Sequence, residues 1–139
     1  MKRYSEKSFH PKASDLNHEA YREACKHYNV GDFNRAKCLF ETALEYWPLD
    51  PQALMALGNC FDELNKPLRA EKCYRKSLKY SAEKDVASVL YNLGNSLFDQ
   101  GKMVEAIECY SKISGQEKVY SSAQRNSKLA NESIVQKNS

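Results

Sequence analysis

Along residues 89–110, VLYNLGNSLFDQGKMVEAIECY, apolar residues recur at three- and four-residue steps, stop at a glycine and then resume. That is the signature of a helix, a tight turn and a second helix. Leu90, Leu93, Gly94 and Leu97 mark the first helix, and Ala106 and Tyr110 the second. The pattern slides backward along the chain. Leu54, Leu57, Gly58 and Phe61 hold the same places on an earlier helix, with Ala70 and Tyr74 on its partner. Further back, Ala36 and Phe40 match Ala70 and Tyr74, while Ala20, Glu23, Ala24 and His27 fit the first-helix positions only in part. The step from Ala36 to Ala70 is 34 residues and that from Ala70 to Ala106 is 36.

The breaks fall where such a period needs them. Gly31, Asn65 and Gly101 can take the left-handed conformation that ends a helix. Asp50-Pro51 offers a cap followed by proline in the first turn, and Pro67 opens another helix. Helices are therefore expected at about 16–30, 33–46, 51–64, 67–80, 84–100 and 103–114. They form three copies at 17–50, 51–84 and 87–120, with residues 85 and 86 inserted. A seventh helix at about 118–135 carries Val119, Ala123, Ala130 and Ile134 on one face and is polar elsewhere, which suits a cap on the last copy. Residues 1–14 lack a period and read as a flexible arm. This leaves one domain over 15–136 and a tail at 137–139.

A small residue on the first helix of each copy (Ala24, Gly58, Gly94) is expected to face a small one on the second (Ala36, Ala70, Ala106), letting the two helices approach closely. One hairpin cannot bury its apolar faces alone, so neighbouring copies must supply the rest of the core. The period resembles the tetratricopeptide repeat, W-x2-L-G-x2-Y…A-x3-F…P. The resemblance implies an all-α fold, a right-handed α-solenoid of antiparallel helix pairs whose first helices line a concave groove.

In that arrangement the second, fifth, sixth, ninth, twelfth and thirteenth residues of each copy face inward. Among them Tyr21, Cys25, Tyr28, Met55, Asn59, Tyr91, Asn92, Asn95 and Phe98 form the candidate groove. Its aromatics can hold apolar side chains of a partner, and each asparagine offers a donor and an acceptor to a peptide backbone. Co-chaperones of the resembling family that grip a partner's C-terminal carboxylate use lysines, arginines and asparagines at set inward positions. This chain has Tyr21, Cys25, Ala56, Ser88 and Asn92 there, so that clamp is absent.

Composition adds exclusions. With 42% hydrophobic and 28% charged residues, and few glycines and prolines, the chain reads as an ordinary globular helical protein. Its net charge of +3 does not by itself argue for nucleic acid. No apolar run approaches a membrane span or a secretory leader. Five cysteines without a CxxC pair fit neither a disulfide framework nor a zinc site, and point to reduced thiols in the cytoplasm. His18 and Cys25 lie two helical turns apart with no orienting third group, and no phosphate or dinucleotide fingerprint is present. No enzyme activity, small-molecule substrate, metal or cofactor is expected.

One charge pattern stands out: Arg69, Lys72, Lys76 and Lys79 form a basic stripe, flanked by Arg75. The reading is a non-enzymatic protein-interaction module that binds a peptide segment of a partner in its groove, as an adaptor, scaffold or assembly factor. One alternative is a secretion-type chaperone that holds an unfolded partner and forms a homodimer through its N-terminal region. Another is a binder of RNA or an anionic membrane surface through the stripe.

Overall fold

The computed structural model describes residues 18–138, and all regular structure within them is helical. The order is α1 (Glu19–Asn29), α2 (Phe33–Tyr46), α3 (Pro51–Glu63), α4 (Pro67–Tyr80), α5 (Glu83–Asp99), α6 (Met103–Ser111) and α7 (Tyr120–Asn138). The arm expected at 1–14 lies outside the described residues. Each helix packs on the next, and α3 also touches α5, and α5 touches α7. The first helices α3 and α5 therefore lie side by side, with α7 next to α5, and the described residues form an α-solenoid of helix pairs followed by α7.

The same turn recurs in all three pairs. Gly31, Asn65 and Gly101 have φ of 83°, 60° and 81°. The amide of the next residue donates back to the helix: Asp32 to His27 at 2.8 Å, Lys66 to Phe61 at 2.8 Å and Lys102 to Leu97 at 2.9 Å. This geometry satisfies the last carbonyls of each first helix and reverses the chain within three residues. Caps fix the starts. The Asp50 carboxylate accepts from the Gln52 amide at 3.0 Å ahead of Pro51, and Asp32 accepts from the Arg35 amide at 3.3 Å. His18 Nδ1 accepts from the Tyr21 amide at 3.4 Å.

Helices α3 and α5 are buried along almost their whole length, whereas α2, α4 and α6 bury only one stripe each. Helices α3 and α5 thus form the inner layer of the domain, while α1 buries only Tyr21, Ala24 and Cys25. At the glycines the close approach is filled by an aromatic ring. An added Cβ on Gly58 would lie 2.6–3.0 Å from ring carbons of Tyr74, and on Gly94 2.5–3.0 Å from those of Tyr110. At both glycines the nearest atoms belong to a tyrosine ring, which crosses the first helix there to reach Asn59 or Asn95 on it. Ala70 and Ala106 are fully buried too, close to that crossing in sequence.

The end of α6 and both ends of α7 differ from expectation. Helix α6 stops at Ser111, before the K-I-S-G segment at 112–115, and α7 starts at Tyr120 and continues to Asn138. No glycine or proline interrupts α7 beyond residue 135, so it takes in Lys137 and Asn138, which the period had assigned to a tail. Ala123, Asn126 and Ala130 are its buried face.

Candidate functional site

The inner-face residues come from three neighbouring helices. Tyr21, Cys25 and Tyr28 lie on α1, Met55 and Asn59 on α3, and Tyr91, Asn92, Asn95 and Phe98 on α5. Tyr28 is half-buried; the other eight are at most 4% exposed. Their rings pack edgewise: Tyr21 on Phe40 with centroids 5.5 Å apart, and Tyr28 on Phe33 at 5.3 Å. Tyr91 tilts against Tyr110 at 6.3 Å.

The asparagines join in a ladder that runs from helix to helix. The Tyr74 hydroxyl lies 2.6 Å from Asn59 Oδ1 and 2.8 Å from Asp62 Oδ2, so its one proton serves two acceptors. Asn92 Nδ2 donates to the same Asn59 Oδ1 at 3.2 Å. One copy later, Tyr110 donates to Asn95 Oδ1 at 2.6 Å and Asn126 Nδ2 donates to it at 3.1 Å. Each asparagine at the ninth position thus binds the tyrosine of its own pair and the sixth-position asparagine of the next helix. These buried bonds fix the register between neighbours.

The ladder leaves polar atoms over. Asn59 Nδ2, Asn92 Oδ1 and the Tyr91 hydroxyl are buried and make no hydrogen bond. Turning both amides about leaves the count unchanged, since Asn59 would then give to Tyr74 and Asn92, freeing one acceptor and one donor. A buried polar atom without a partner costs about 1–3 kcal/mol. Three such atoms lie on one face.

Charge divides the molecule. Asp62, Glu63 and Asp99 stand at the C-terminal ends of α3 and α5, close to Tyr28 and Phe98 in register. Asp62 is buried and also accepts from Ser96 Oγ at 3.2 Å. Burial, followed by the charge of Glu63, raises the Tyr28 phenol well above its usual value. Burial and the neighbouring Asp62 do the same for Tyr74.

On α4, Arg69, Lys72, Lys76 and Lys79 are all exposed, and none forms an ion pair among the described residues. Arg69 lies over the Phe61 ring at 5.8 Å and Lys79 over Tyr80 at 5.7 Å. Arg75, by contrast, is committed to a network. Its Nε donates to Glu71 at 2.7 Å and its Nη2 to Glu105 at 3.4 Å, while Gln100 and Lys102 also donate to Glu71. Burial raises the Glu71 carboxyl, but hydrogen bonds from Arg75, Gln100 and Lys102 outweigh it and hold it below the ordinary range.

The remaining chemistry is spoken for. His18 caps α1 and its ring leans on Tyr46 with centroids 4.9 Å apart. All five cysteines are free thiols, and burial pushes Cys60 and Cys73 up to about 12. Among the described residues no group of three or more potential ligands could hold a metal, and no helix is long and apolar enough to cross a membrane. An open cleft of about 570 Å³ lies away from the inner face, along α7, beside Gln124, Ser127, Lys128, Asn131 and Val135.

Sequence reasoning missed Tyr74, Tyr110 and Asn126 as partners of the inner asparagines. The signal was present: asparagine and tyrosine recur 15 residues apart, as Asn59–Tyr74 and Asn95–Tyr110. The first copy has Cys25 and Phe40 at those places, so both partners of the bond are missing together.

Comparison with known proteins agrees with this architecture. Three tetratricopeptide repeat models match residues 21–67, 51–84 and 87–113. A cellulose synthase operon protein C from Xanthomonas axonopodis pv. citri (strain 306) is 32% identical over 94 residues, 68% of this chain. The chain spans only 6% of that relative's length. Among solved structures, the first such domain of Spaghetti (RPAP3), bound to the HSP90 peptide SRMEEVD, is similar with a TM-score of 0.74 at 13% identity. That match covers 92% of this chain and 99% of the other. The type III secretion translocator chaperone SycD of Yersinia enterocolitica follows at 0.73 and 17% identity, covering 92% and 90%. The Sgt2 domain of Aspergillus fumigatus has 0.73 and 17%, covering 96% and 87%. At these identities the likeness speaks to fold alone.

Proposed function

Since the chain belongs to the tetratricopeptide repeat family, we propose that it is a non-enzymatic protein-interaction module that takes a segment of a partner along the inner face of α1, α3 and α5. The observation that carries this reading is the set of buried, unbonded polar atoms on that face: Asn59 Nδ2, Asn92 Oδ1 and the Tyr91 hydroxyl. A peptide backbone offers one N–H and one C=O per residue, the complement of one amide donor and one amide acceptor. Met55, Tyr91 and Phe98 supply apolar contact beside them. Because these side chains are almost wholly buried, binding is coupled to an opening of the face, which lowers the apparent affinity by the fraction of open molecules. The free thiols support a reducing compartment such as the cytoplasm.

A selection of displayed peptides on the full-length chain tests this. Selected peptides should bind at least about tenfold more weakly to Asn92→Leu, which keeps the volume but removes the amide. They should bind unchanged to Lys72→Glu/Lys76→Glu. Peptides indifferent to Asn92→Leu would remove the inner face as the binding site. The four exposed cations on α4, without an ion pair among the described residues, favour a second reading, contact with a polyanion through the outer stripe. Binding would then fall steeply between 50 and 500 mM salt and vanish in the Lys72→Glu/Lys76→Glu protein.

A further inference from the structure

We infer that the protein seats on an anionic lipid bilayer, with the rim where α2 and α4 end entering the headgroup region and the cations of α4 meeting lipid phosphates; this rests on the outer-stripe reading above and adds an apolar anchor to it. Nine large apolar side chains stand exposed among the described residues, and four of them, Tyr46, Trp47, Leu49 and Tyr80, belong to this one rim. Tyr46, Trp47 and Leu49 are 68%, 53% and 50% exposed, and they crowd into the end of α2 and the turn to α3.

Three contacts gather the rim. The Tyr46 ring leans on His18 at the start of α1, with centroids 4.9 Å apart. Ser77 Oγ, in the last turn of α4, donates to the Pro51 carbonyl at 2.8 Å. Gln52 Nε2 donates to Asp85, in the first turn of α5, at 3.2 Å. The ends of α2 and α4 and the starts of α1, α3 and α5 therefore share one side of the domain. Tyr80, the last residue of α4, lies on that side with the turn that carries Trp47.

The basic stripe runs into this rim. Arg69, Lys72, Lys76 and Lys79 follow one another at steps of three, four and three residues, a line of about 15 Å along the helix. All four are exposed, and Lys79 lies over the Tyr80 ring at 5.7 Å, so the line of cations ends at an aromatic side chain of the rim. Glu19, Glu45 and Glu83 stand exposed on the rim as well, with Lys84. The charge preference thus comes from α4 and the anchoring from the turn.

Residue types point to the partner. Tryptophan and tyrosine carry an apolar body with one polar tip and settle at the boundary between water and hydrocarbon. Leu49 gains there too, whereas a nucleotide base seeks aromatic faces to stack on. Lipid headgroups diffuse to wherever cations stand, while a nucleic acid or an acidic peptide must present its charges in the register of α4. A single apolar anchor attaches only marginally, and a second signal from basic residues makes the attachment stable. Each cation near an anionic surface strengthens it by a factor of about five.

Co-sedimentation of the full-length chain with vesicles tests this, using phosphatidylcholine alone and phosphatidylcholine mixed with phosphatidylserine. Trp47 is the one tryptophan in the chain, so its fluorescence reports on the rim directly. The mixed vesicles should bind at least about 25-fold more tightly than phosphatidylcholine, the effect of two or more cations, and shift Trp47 emission to the blue. Lys72→Glu/Lys76→Glu should abolish that preference. Trp47→Ser/Leu49→Ser should weaken attachment at least about tenfold while leaving the helical circular dichroism intact.

Attachment to mixed vesicles with no emission shift, and undiminished in Trp47→Ser/Leu49→Ser, would overturn the bilayer seat and leave the outer-stripe reading standing. Polyuridylate bound more tightly than the mixed vesicles, and lost in Lys72→Glu/Lys76→Glu, would assign the stripe to nucleic acid and overturn the seat likewise. Equal attachment to both kinds of vesicle would refute the part given to the stripe. If neither vesicles nor polyuridylate bind, the bilayer seat and the outer-stripe reading fall together.

Discussion

Replacing Gly94 by alanine gives the sharpest test of how the helix pairs hold together. Inside a helix this change normally stabilises by about 1 kcal/mol, because glycine loses more backbone freedom on folding. Here the new Cβ would sit 2.5 Å from Tyr110 Cε1, 2.9 Å from Cδ1 and 3.0 Å from Cζ. Carbon atoms rest at about 3.5–4.0 Å, so the ring must retreat by roughly 1 Å. It has little room, being fully buried, with its hydroxyl 2.6 Å from Asn95 Oδ1. Overpacking costs about 1–3 kcal/mol and the stretched hydrogen bond about 1 kcal/mol. After the propensity gain is subtracted, Gly94→Ala should destabilise by about 1–3 kcal/mol, or roughly 4–12 °C in Tm for a domain of this size.

The decisive measurement is a double-mutant cycle by urea denaturation. In a Tyr110→Ala background the obstacle is gone, and Gly94→Ala should stabilise by up to about 1 kcal/mol, reversing its sign. Tyr110→Ala itself costs about 3–5 kcal/mol, within the range a folded domain of this kind can absorb. Gly58 and Tyr74 form the equivalent pair and provide an independent repeat. An equal cost for Gly94→Ala with and without the ring would refute the account.

Other consequences can be measured separately. Tyr110→Phe leaves Asn95 Oδ1 with Asn126 as its remaining ladder donor and should cost about 1 kcal/mol, read by the shift of the urea midpoint. The first copy has Phe40 and Cys25 at the tyrosine and asparagine places, so Phe40→Tyr should destabilise by burying a hydroxyl where no asparagine stands, read by the urea midpoint. Glu71 has a folded pKa below its unfolded one, so its contribution is present above the unfolded value near pH 4.5 and is lost as pH falls through the folded value. Glu71→Gln should therefore flatten the acid limb of a stability–pH curve, measured by thermal melts. Cys60 and Cys73 are raised to about 12, so they favour folding below their unfolded pKa near 9 and cease to do so as pH climbs toward 12. Cys38 is exposed while Cys25, Cys60 and Cys109 are buried; iodoacetamide at pH 8 should label Cys38 first, with mass spectrometry to locate it.

Much of the architecture was legible because the repeat writes the same constraint three times. Gly31, Asn65 and Gly101 each end a first helix in the left-handed conformation, and Pro51 and Pro67 open the helices they were expected to open. These are local demands, visible in one residue and its neighbours. The glycines were read only half correctly. Their smallness was evident, but what presses on them is a tyrosine 16 residues away, and only the paired recurrence of glycine and tyrosine betrays it. The candidate face was legible as positions and not as an environment. Helical spacing puts Asn59, Asn92 and Asn95 on one side, yet the bonds of Asn59 to Tyr74 and Asn92, and of Asn95 to Tyr110 and Asn126, depend on how adjacent pairs stack. Arg75 shows the converse: in sequence it flanks the basic stripe, while in space Glu71 and Glu105 claim it.

Helix α7 has a consequence for how such a protein could grow. Thirty-four residues after Asn92, Asn126 makes the same bond that Asn92 makes, so α7 docks as the opening helix of a further pair. Thirty-four residues after Leu90, Leu93, Gly94 and Leu97 stand Gln124, Ser127, Lys128 and Asn131, where a following helix would seat. Four substitutions, to leucine, leucine, glycine and leucine, would turn that polar side into a socket. Lengthening the array is therefore a matter of repainting one side of an existing helix, with the joint to its predecessor already made.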